Sequence, residues 1–96
     1  MTTSARPTEV KIQKLCQDLA DFLAEKNRRY GDSALAPDQV FSRAEPAEGI
    51  RIRLDDKLSR VRNSGELRKN DVVDLLGYLV LLCLAQGWES LGDLID

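Results

Sequence analysis

The chain of 96 residues contains no histidine, and its aromatic residues are limited to two phenylalanines, two tyrosines and one tryptophan. The absence of histidine excludes Ser-His-Asp and Cys-His catalysis, imidazole proton transfer and every zinc site with a histidine ligand. With so few aromatic side chains, a platform on which nucleic-acid bases stack is not expected. What remains for chemistry is a set of acidic and basic side chains, which make up 31% of the residues.

Cysteines and long apolar runs are also few. Cys16 and Cys83 fall on apolar helix faces, so we predict small core residues in a reducing compartment rather than a disulfide. The N-terminal residues lack the apolar segment of a signal peptide, and the uncharged run 75–85 is shorter than the roughly 20 residues that cross a membrane. We therefore expect a cytoplasmic protein that does not bind membranes, with a flexible tail at residues 1–7 and one domain at residues 8–96.

An excess of positive charge is missing as well, since the formal net charge is −2. Domains that bind duplex DNA are usually basic. The arginines of this chain are interleaved with Asp55 and Asp56 instead of forming a continuous basic patch. Nucleic acid is therefore not an expected partner.

Apolar residues recur with the spacing of helices, and no stretch alternates as a strand would. We therefore predict an all-α protein, a small bundle of three main helices with a short C-terminal helix. The first helix runs from an N-cap at Thr8 to about Arg29 and stops at Gly31. Its apolar stripe consists of Ile12, Leu15, Cys16, Leu19, Phe22 and Leu23.

The second helix is predicted over residues 50–62, after a long loop between Gly31 and Gly49. Pro46 and Gly49 are expected to exclude helix from the end of that loop, and Val40 and Phe41 to attach its middle to the core. The apolar stripe of the second helix consists of Ile50, Leu54, Leu58 and Val61.

The third helix is predicted to begin between residues 66 and 71 and to run to about Gln86, where Gly87 follows. Its apolar residues cover nearly the whole circumference, which two partner helices cannot surround. We therefore expect the bundle to be completed in a homodimer or homotetramer. Trp88, Leu91 and Leu94 are expected to pack back on the core from the final short helix.

Two aspartates open this apolar helix. Asp71 and Asp74 are three residues apart, so their carboxylates lie on one side of a helix, and Tyr78 falls between them on the helical wheel. Buried carboxylates need a cation, a metal ion or a dense hydrogen-bond network beside them, so this stripe is a candidate divalent-metal site. Asp71 also has a simpler explanation, because it follows Asn70, a suitable N-cap, and acids in a first turn are favoured by the helix dipole.

The second helix carries three cations along one edge of its apolar stripe, namely Arg53, Lys57 and Arg60. Two interpretations stay open. The charged residues can form a salt-bridged solvent face, with i,i+4 pairs Arg51–Asp55 and Asp56–Arg60. Alternatively, the three cations can line a wall that binds phosphates.

Three short motifs follow one another along residues 22–82: K-N-x-x-Y-G-D-S, then G-I-x-I-R-L-D-D-K-L-x-R, then N-D-x-x-D-L-x-G-Y. Their order and spacing resemble a family of small, mostly phage-encoded proteins called nucleotide modification associated domain, type 1. That family is thought to be related to the all-α nucleoside triphosphate pyrophosphatases, the MazG-like and dimeric dUTPase superfamily. The resemblance implies a MazG-like helical domain.

The resemblance also implies a metal site. The superfamily's E-x-x-D motif, usually followed four residues later by an aromatic residue, is similar to Asp71, Asp74 and Tyr78 here. Asp56, in the D-K-x-x-R motif of the second helix, is implied as a further ligand. The implied metal is Mg²⁺ or Mn²⁺, since hard cations of this kind take oxygen ligands and bridge phosphates.

The remaining motif residues are implied to contact the nucleotide. Lys57 and Arg60 would neutralise charge on the phosphates during catalysis, and Arg53 and Tyr78 would help to bind the substrate. The K-N-x-x-Y-G-D segment implies a nucleotide-binding corner formed by Lys26, Asn27, Tyr30 and Asp32.

The E-x-x-E motif of the superfamily has a counterpart in this chain that is not predicted to lie on a helix. The relatives carry an E-x-x-E on the helix before the E-x-x-D helix. Glu45 and Glu48 have that spacing here, but Pro46 and Gly49 predict no helix around them. With fewer carboxylates, the implied metal site is weaker, single or absent.

The resemblance implies a metal-dependent pyrophosphohydrolase that converts a (deoxy)nucleoside triphosphate to a monophosphate and pyrophosphate. Such an enzyme would act in phage nucleotide-pool or modified-base metabolism, in the cytoplasm of the host. Two alternatives stay open on the same scaffold. One is a catalytically inactive nucleotide-binding protein, and the other is a protein-interaction module.

Overall fold

The structure, a computed structural model, describes residues 6–31, 34–35 and 45–95. Within these ranges the chain forms three α-helices, α1 (Pro7–Tyr30), α2 (Pro46–Ser64) and α3 (Lys69–Ala85), followed by a 3₁₀ turn at Gly92–Leu94. The described residues include no strand, so the predicted all-α class, with three main helices and a short C-terminal helix, is confirmed.

Some of the features predicted from the sequence lie outside the described residues. Residues 1–5 of the predicted tail lie outside the described residues, as do Asp32, Val40 and Phe41 of the predicted loop. Among the helices that the structure describes, none is both long enough and apolar enough to cross a membrane.

The chain divides into two compact units, Met1–Gly31 and Asp32–Asp96, and α1 belongs to the first. It begins at Pro7, because proline suits a first helical position, where its missing N–H would have no intrahelical partner. The N-cap is Arg6, and Thr8 lies inside the helix, so the prediction of Thr8 as the N-cap is wrong. Gly31 ends the helix with a φ of 59°, a left-handed conformation that glycine adopts at little cost. The predicted stop is confirmed.

The start of α2 differs from the prediction. The helix begins at Pro46, with Glu45 as its N-cap and Glu48 in its first turn, four residues earlier than expected. Proline disrupts the interior of a helix but is favoured at its first position. Gly49, within the helix, lowers its stability without breaking it.

In the second unit, α2 packs against α3. Ile50 of α2 is 2% exposed, and Gly77 is the buried residue of α3. Leu58 was predicted to lie on the packed side of α2, which is wrong, because it is exposed. The less exposed positions on that side of the helix are Ile50, Leu54, Lys57 and Val61.

A short connection joins these two helices. Gly65 ends α2 in a left-handed conformation, with a φ of 68°. The Ser64 hydroxyl accepts a hydrogen bond of 3.3 Å from the Glu66 N–H. The third helix then begins at Lys69 with Arg68 as its N-cap, so the prediction of Asn70 as the cap is wrong. Its predicted length is confirmed, because it ends at Ala85.

Several apolar residues predicted for the core are exposed. Cys16 on α1 is exposed, and Cys83 on α3 is half-buried. The predicted packing of the C-terminal residues is also wrong, since Trp88, Leu91 and Leu94 are exposed. Along α3, five aliphatic side chains at helical spacing are exposed as well: Val72, Leu76, Leu79, Val80 and Leu84.

Candidate functional site

A lysine of α2 and two aspartates of α3 form an ionic cluster between these helices. The Lys57 Nζ lies 3.1 Å from Asp74 Oδ2 and 3.3 Å from Asp71 Oδ1. The ammonium donates a hydrogen bond to each carboxylate, because a lysine side chain is a donor only. We call these three residues the Lys57 cluster.

The Lys57 cluster is partly shielded from water. The side chains of Lys57 and Asp71 are each 15% exposed, and that of Asp74 is 28% exposed. The hydrogen bond to Asp74, and after it the one to Asp71, raises the pKa of Lys57 above its ordinary value, although burial acts in the opposite direction. The ammonium is therefore firmly charged at neutral pH.

Local sequence places both carboxylates. Asp71 lies in the first turn of α3 and Asp74 one turn further on, so the i,i+3 spacing turns both toward one side of the helix. Asp71 thus meets both expectations for it, as an acid in a first helical turn and as a neighbour of Asp74. Tyr78, one further turn along, is half-buried.

Sequence reasoning missed the role of Lys57 as the partner of both acids, although a signal for it was present. On a wheel of 100° per residue, Lys57 lies about 40° from the centre of Ile50, Leu54 and Val61, whereas Leu58 lies about 60° from it. The geometry therefore places Lys57 closer to the packed side than Leu58. Because leucine is apolar and lysine is charged, residue type alone predicts Leu58 on the packed side, although Lys57 lies there.

The exposed side chains of α2 form a different ionic arrangement. Arg60 pairs with Asp56 at 3.0 Å, which confirms that predicted i,i+4 pair, but the two side chains are 71% and 62% exposed. Arg51 lies 3.6 Å from Glu48, which differs from the predicted pairing with Asp55. Arg53 is also exposed.

The structure does not add a third carboxylate to Asp71 and Asp74. Within the described residues, no three acidic, cysteine or histidine side chains lie close enough together to hold a metal ion. Asp56 is engaged with Arg60 on the solvent side. Glu48 lies nine residues before Lys57, a distance of about 13.5 Å along the helix axis.

Two convergent carboxylates nevertheless suit one kind of metal site. Mg²⁺ is commonly held by one or two protein carboxylates together with water and substrate phosphates. Asp71 and Asp74 approach the same atom, Lys57 Nζ, so their oxygens are already directed to a shared point. They fit such a shared site, whereas a closed cage of protein ligands would need more acids.

Three residues of the nucleotide-binding corner implied by the resemblance, Lys26, Asn27 and Tyr30, lie near the end of α1, in the unit Met1–Gly31. The Lys26 Nζ stands 5.4 Å from the centre of the Phe22 ring, a cation–π distance. Asn27 lies in the same turn, and Tyr30 is an exposed residue at the last position of the helix. Asp32 lies outside the described residues.

Comparison with known proteins adds no relative. The chain matches no protein-family model, no curated protein and no solved structure.

Proposed function

We propose that this protein is a metal-dependent (deoxy)nucleoside triphosphate pyrophosphohydrolase. The observation that carries the proposal is the convergence of Asp71 and Asp74 on one point between α2 and α3. The order of the sequence motifs and the all-α fold agree with it. The same motifs suggest a role in phage nucleotide-pool or modified-base metabolism.

In this proposal each charged residue has one task. Asp71 and Asp74 would hold Mg²⁺ or Mn²⁺, and the metal would supply Lewis-acid polarisation of the phosphoryl oxygens. Lys57 and Arg60 neutralise negative charge on the phosphates, and Arg53 supplies a further cation on the same helix. Tyr78 contacts the nucleoside from the same helix as the two aspartates, and the role of Lys26, Asn27, Tyr30 and Asp32 in binding nucleotide is proposed from their sequence motif alone.

Pyrophosphate release from a panel of canonical and modified deoxynucleoside triphosphates, with and without Mg²⁺ or Mn²⁺, tests the proposal. We expect metal-dependent release from at least one of them, and loss of about 10²-fold or more in rate for Asp74→Asn, the scale of removing a group that acts on the transition state. Asp93→Asn, an exposed acid in the 3₁₀ turn, is the matched control and should retain the wild-type rate.

A second function, nucleotide binding without hydrolysis, is favoured by one specific observation. Only two carboxylates converge within the described residues, and both are engaged by Lys57. Cations can hold phosphates without the acids that the chemistry requires. Thermal stabilisation by a nucleotide, with no release of pyrophosphate in any metal, would favour this function over hydrolysis.

The proposed assembly is a homodimer or homotetramer. The exposed aliphatic stripe of α3, from Val72 to Leu84, supports it because such a row of side chains is stabilised when another apolar surface covers it. Sedimentation of the purified chain measures the number of copies directly. A monomer at micromolar concentration would contradict this part of the proposal.

A further inference from the structure

Lys57 stands at the point where a divalent cation would meet both aspartates. Its ammonium comes from α2, whereas the two carboxylates belong to α3, fourteen residues or more further along the chain. The oxygens that accept its hydrogen bonds, Asp71 Oδ1 and Asp74 Oδ2, are of the type that hard cations select. A metal ion and the ammonium would therefore compete for the same atoms.

The charges of the Lys57 cluster explain why the ammonium and a metal ion would exclude each other. Two carboxylates and one ammonium leave one net negative charge, so the cluster is balanced well enough to persist without metal. A divalent cation among the same oxygens would lie close to the ammonium, and the two positive charges would repel each other at short range. Both cannot occupy the cluster in its present arrangement.

The Lys57 side chain can move away from the two carboxylates when a metal ion binds them. It is a flexible four-carbon stem with a compact charge, and it makes single hydrogen bonds instead of the rigid two-point contact of arginine. Asp74 is 28% exposed, so solvent reaches the edge of the cluster. Once displaced, the ammonium remains near the phosphates that would accompany the metal and can pair with them.

We infer that Lys57 is an internal counter-ion that holds Asp71 and Asp74 together in the metal-free protein and must release them for a divalent cation to bind. Metal binding is therefore weaker than two convergent carboxylates alone would give, and it is coupled to movement of one side chain of α2. This inference rests on the proposed function, because it takes Asp71 and Asp74 as the metal ligands.

The test is binding of Mn²⁺ alone, measured by calorimetry on the full chain without nucleotide. Lys57→Met keeps the length of the stem and removes its charge, so it should bind Mn²⁺ about tenfold more tightly than the wild type, the scale on which neighbouring groups tune metal sites. Arg51→Met is the matched control. It removes the same charge from an exposed position of α2 and should bind Mn²⁺ as the wild type does.

The outcomes separate this inference from the proposed function. Equal or weaker binding by Lys57→Met, with the wild type still binding Mn²⁺, would overturn the inference and leave the pyrophosphohydrolase in place. Tighter binding by Lys57→Met, together with a wild type that releases no pyrophosphate, would support the inference and reject the enzyme. Absence of Mn²⁺ binding in both proteins would overturn the inference together with the metal-dependent function.

A measurement on the wild type covers the case in which Lys57→Met does not fold. The ammonium of Lys57, assigned in nitrogen-15 spectra by its absence from Lys57→Arg, should exchange slowly with water in the metal-free protein. Saturating Mg²⁺ should bring its exchange to the rate of an exposed lysine such as Lys69. Slow exchange that persists at saturation would contradict displacement.

Discussion

Ile50 and Ile52 lie two residues apart on α2, yet the first is 2% exposed and the second 57%. The side chains of Lys57 and Arg60 also differ in their exposure to solvent. Lys57 joins two carboxylates of α3 with a side chain that is 15% exposed, whereas Arg60 pairs with Asp56 in open solvent. On this helix the side that faces α3, and not the residue type, decides what a side chain contributes.

The largest expected effect separates the two isoleucines. Ile50→Ala should lower the free energy of unfolding by about 3 kcal/mol, because it removes buried methyl groups and leaves a cavity. Ile52→Ala should change it by no more than about 0.5 kcal/mol, since its side chain is already in water. Urea unfolding of both variants measures the difference. Equal losses would mean that the two sides of α2 are not distinguished as the structure describes.

The two cations provide the next test. Lys57→Met should destabilise the protein more than Arg60→Met, because it leaves two shielded carboxylates three residues apart without their shared ammonium. The loss from Arg60→Met should stay within about 0.5 kcal/mol, the usual range for an exposed pair. Unfolding is measured with a chelator present, so that no metal replaces the ammonium. A greater loss in Arg60→Met would reverse the assignment.

Alkaline pH sharpens the same contrast. Because the Asp74 and Asp71 hydrogen bonds raise the pKa of Lys57 above its ordinary value of 10.5, its stabilising contribution is complete below that value. The contribution decreases only as pH rises through the higher pKa of the folded state. The stability difference between wild type and Lys57→Met should therefore stay constant from about pH 8 to 10 and shrink above about 10.5.

The matching control for this pH series is Arg51→Met. Arginine keeps its charge throughout this range, so the difference between wild type and Arg51→Met should not follow the titration of an ammonium. An advantage of the wild type over Lys57→Met that instead grows between about pH 8 and 10 would mean that burial, and not hydrogen bonding, dominates the pKa of Lys57.

The sequence predicts well what depends on neighbours along the chain. Gly31 stops α1 and the uncharged run defines α3, and the i,i+3 spacing brings Asp71 and Asp74 to one side. The sequence predicts poorly the contacts that depend on packing against another helix. The cation beside the two aspartates comes from α2, and only packing of α2 on α3 turns Lys57 toward them.

The start of α2 shows a different reason for failure. Pro46 and Gly49 predict that no helix forms around them, but the effect of a proline depends on its position within a helix. Glu45 and Glu48 consequently belong to the beginning of α2, although they lie far from the Lys57 cluster along its axis. A helix-propensity scale that ignores position in the helix cannot distinguish a proline at the first helical position from one in the interior.

The smallest expected effects concern two glycines of the same helix. At Gly65, with a φ of 68°, alanine would be forced into a left-handed conformation, so Gly65→Ala should cost about 1 kcal/mol. Gly49 lies within the helix, and a Cβ there would meet no described atom within 4 Å, so Gly49→Ala should add about 0.5 kcal/mol. Urea unfolding should thus give shifts of opposite sign for one chemical change. Shifts of the same sign would show that α2 does not extend over both positions, because only a helix that contains Gly49 and ends at Gly65 gives the two glycines opposite roles.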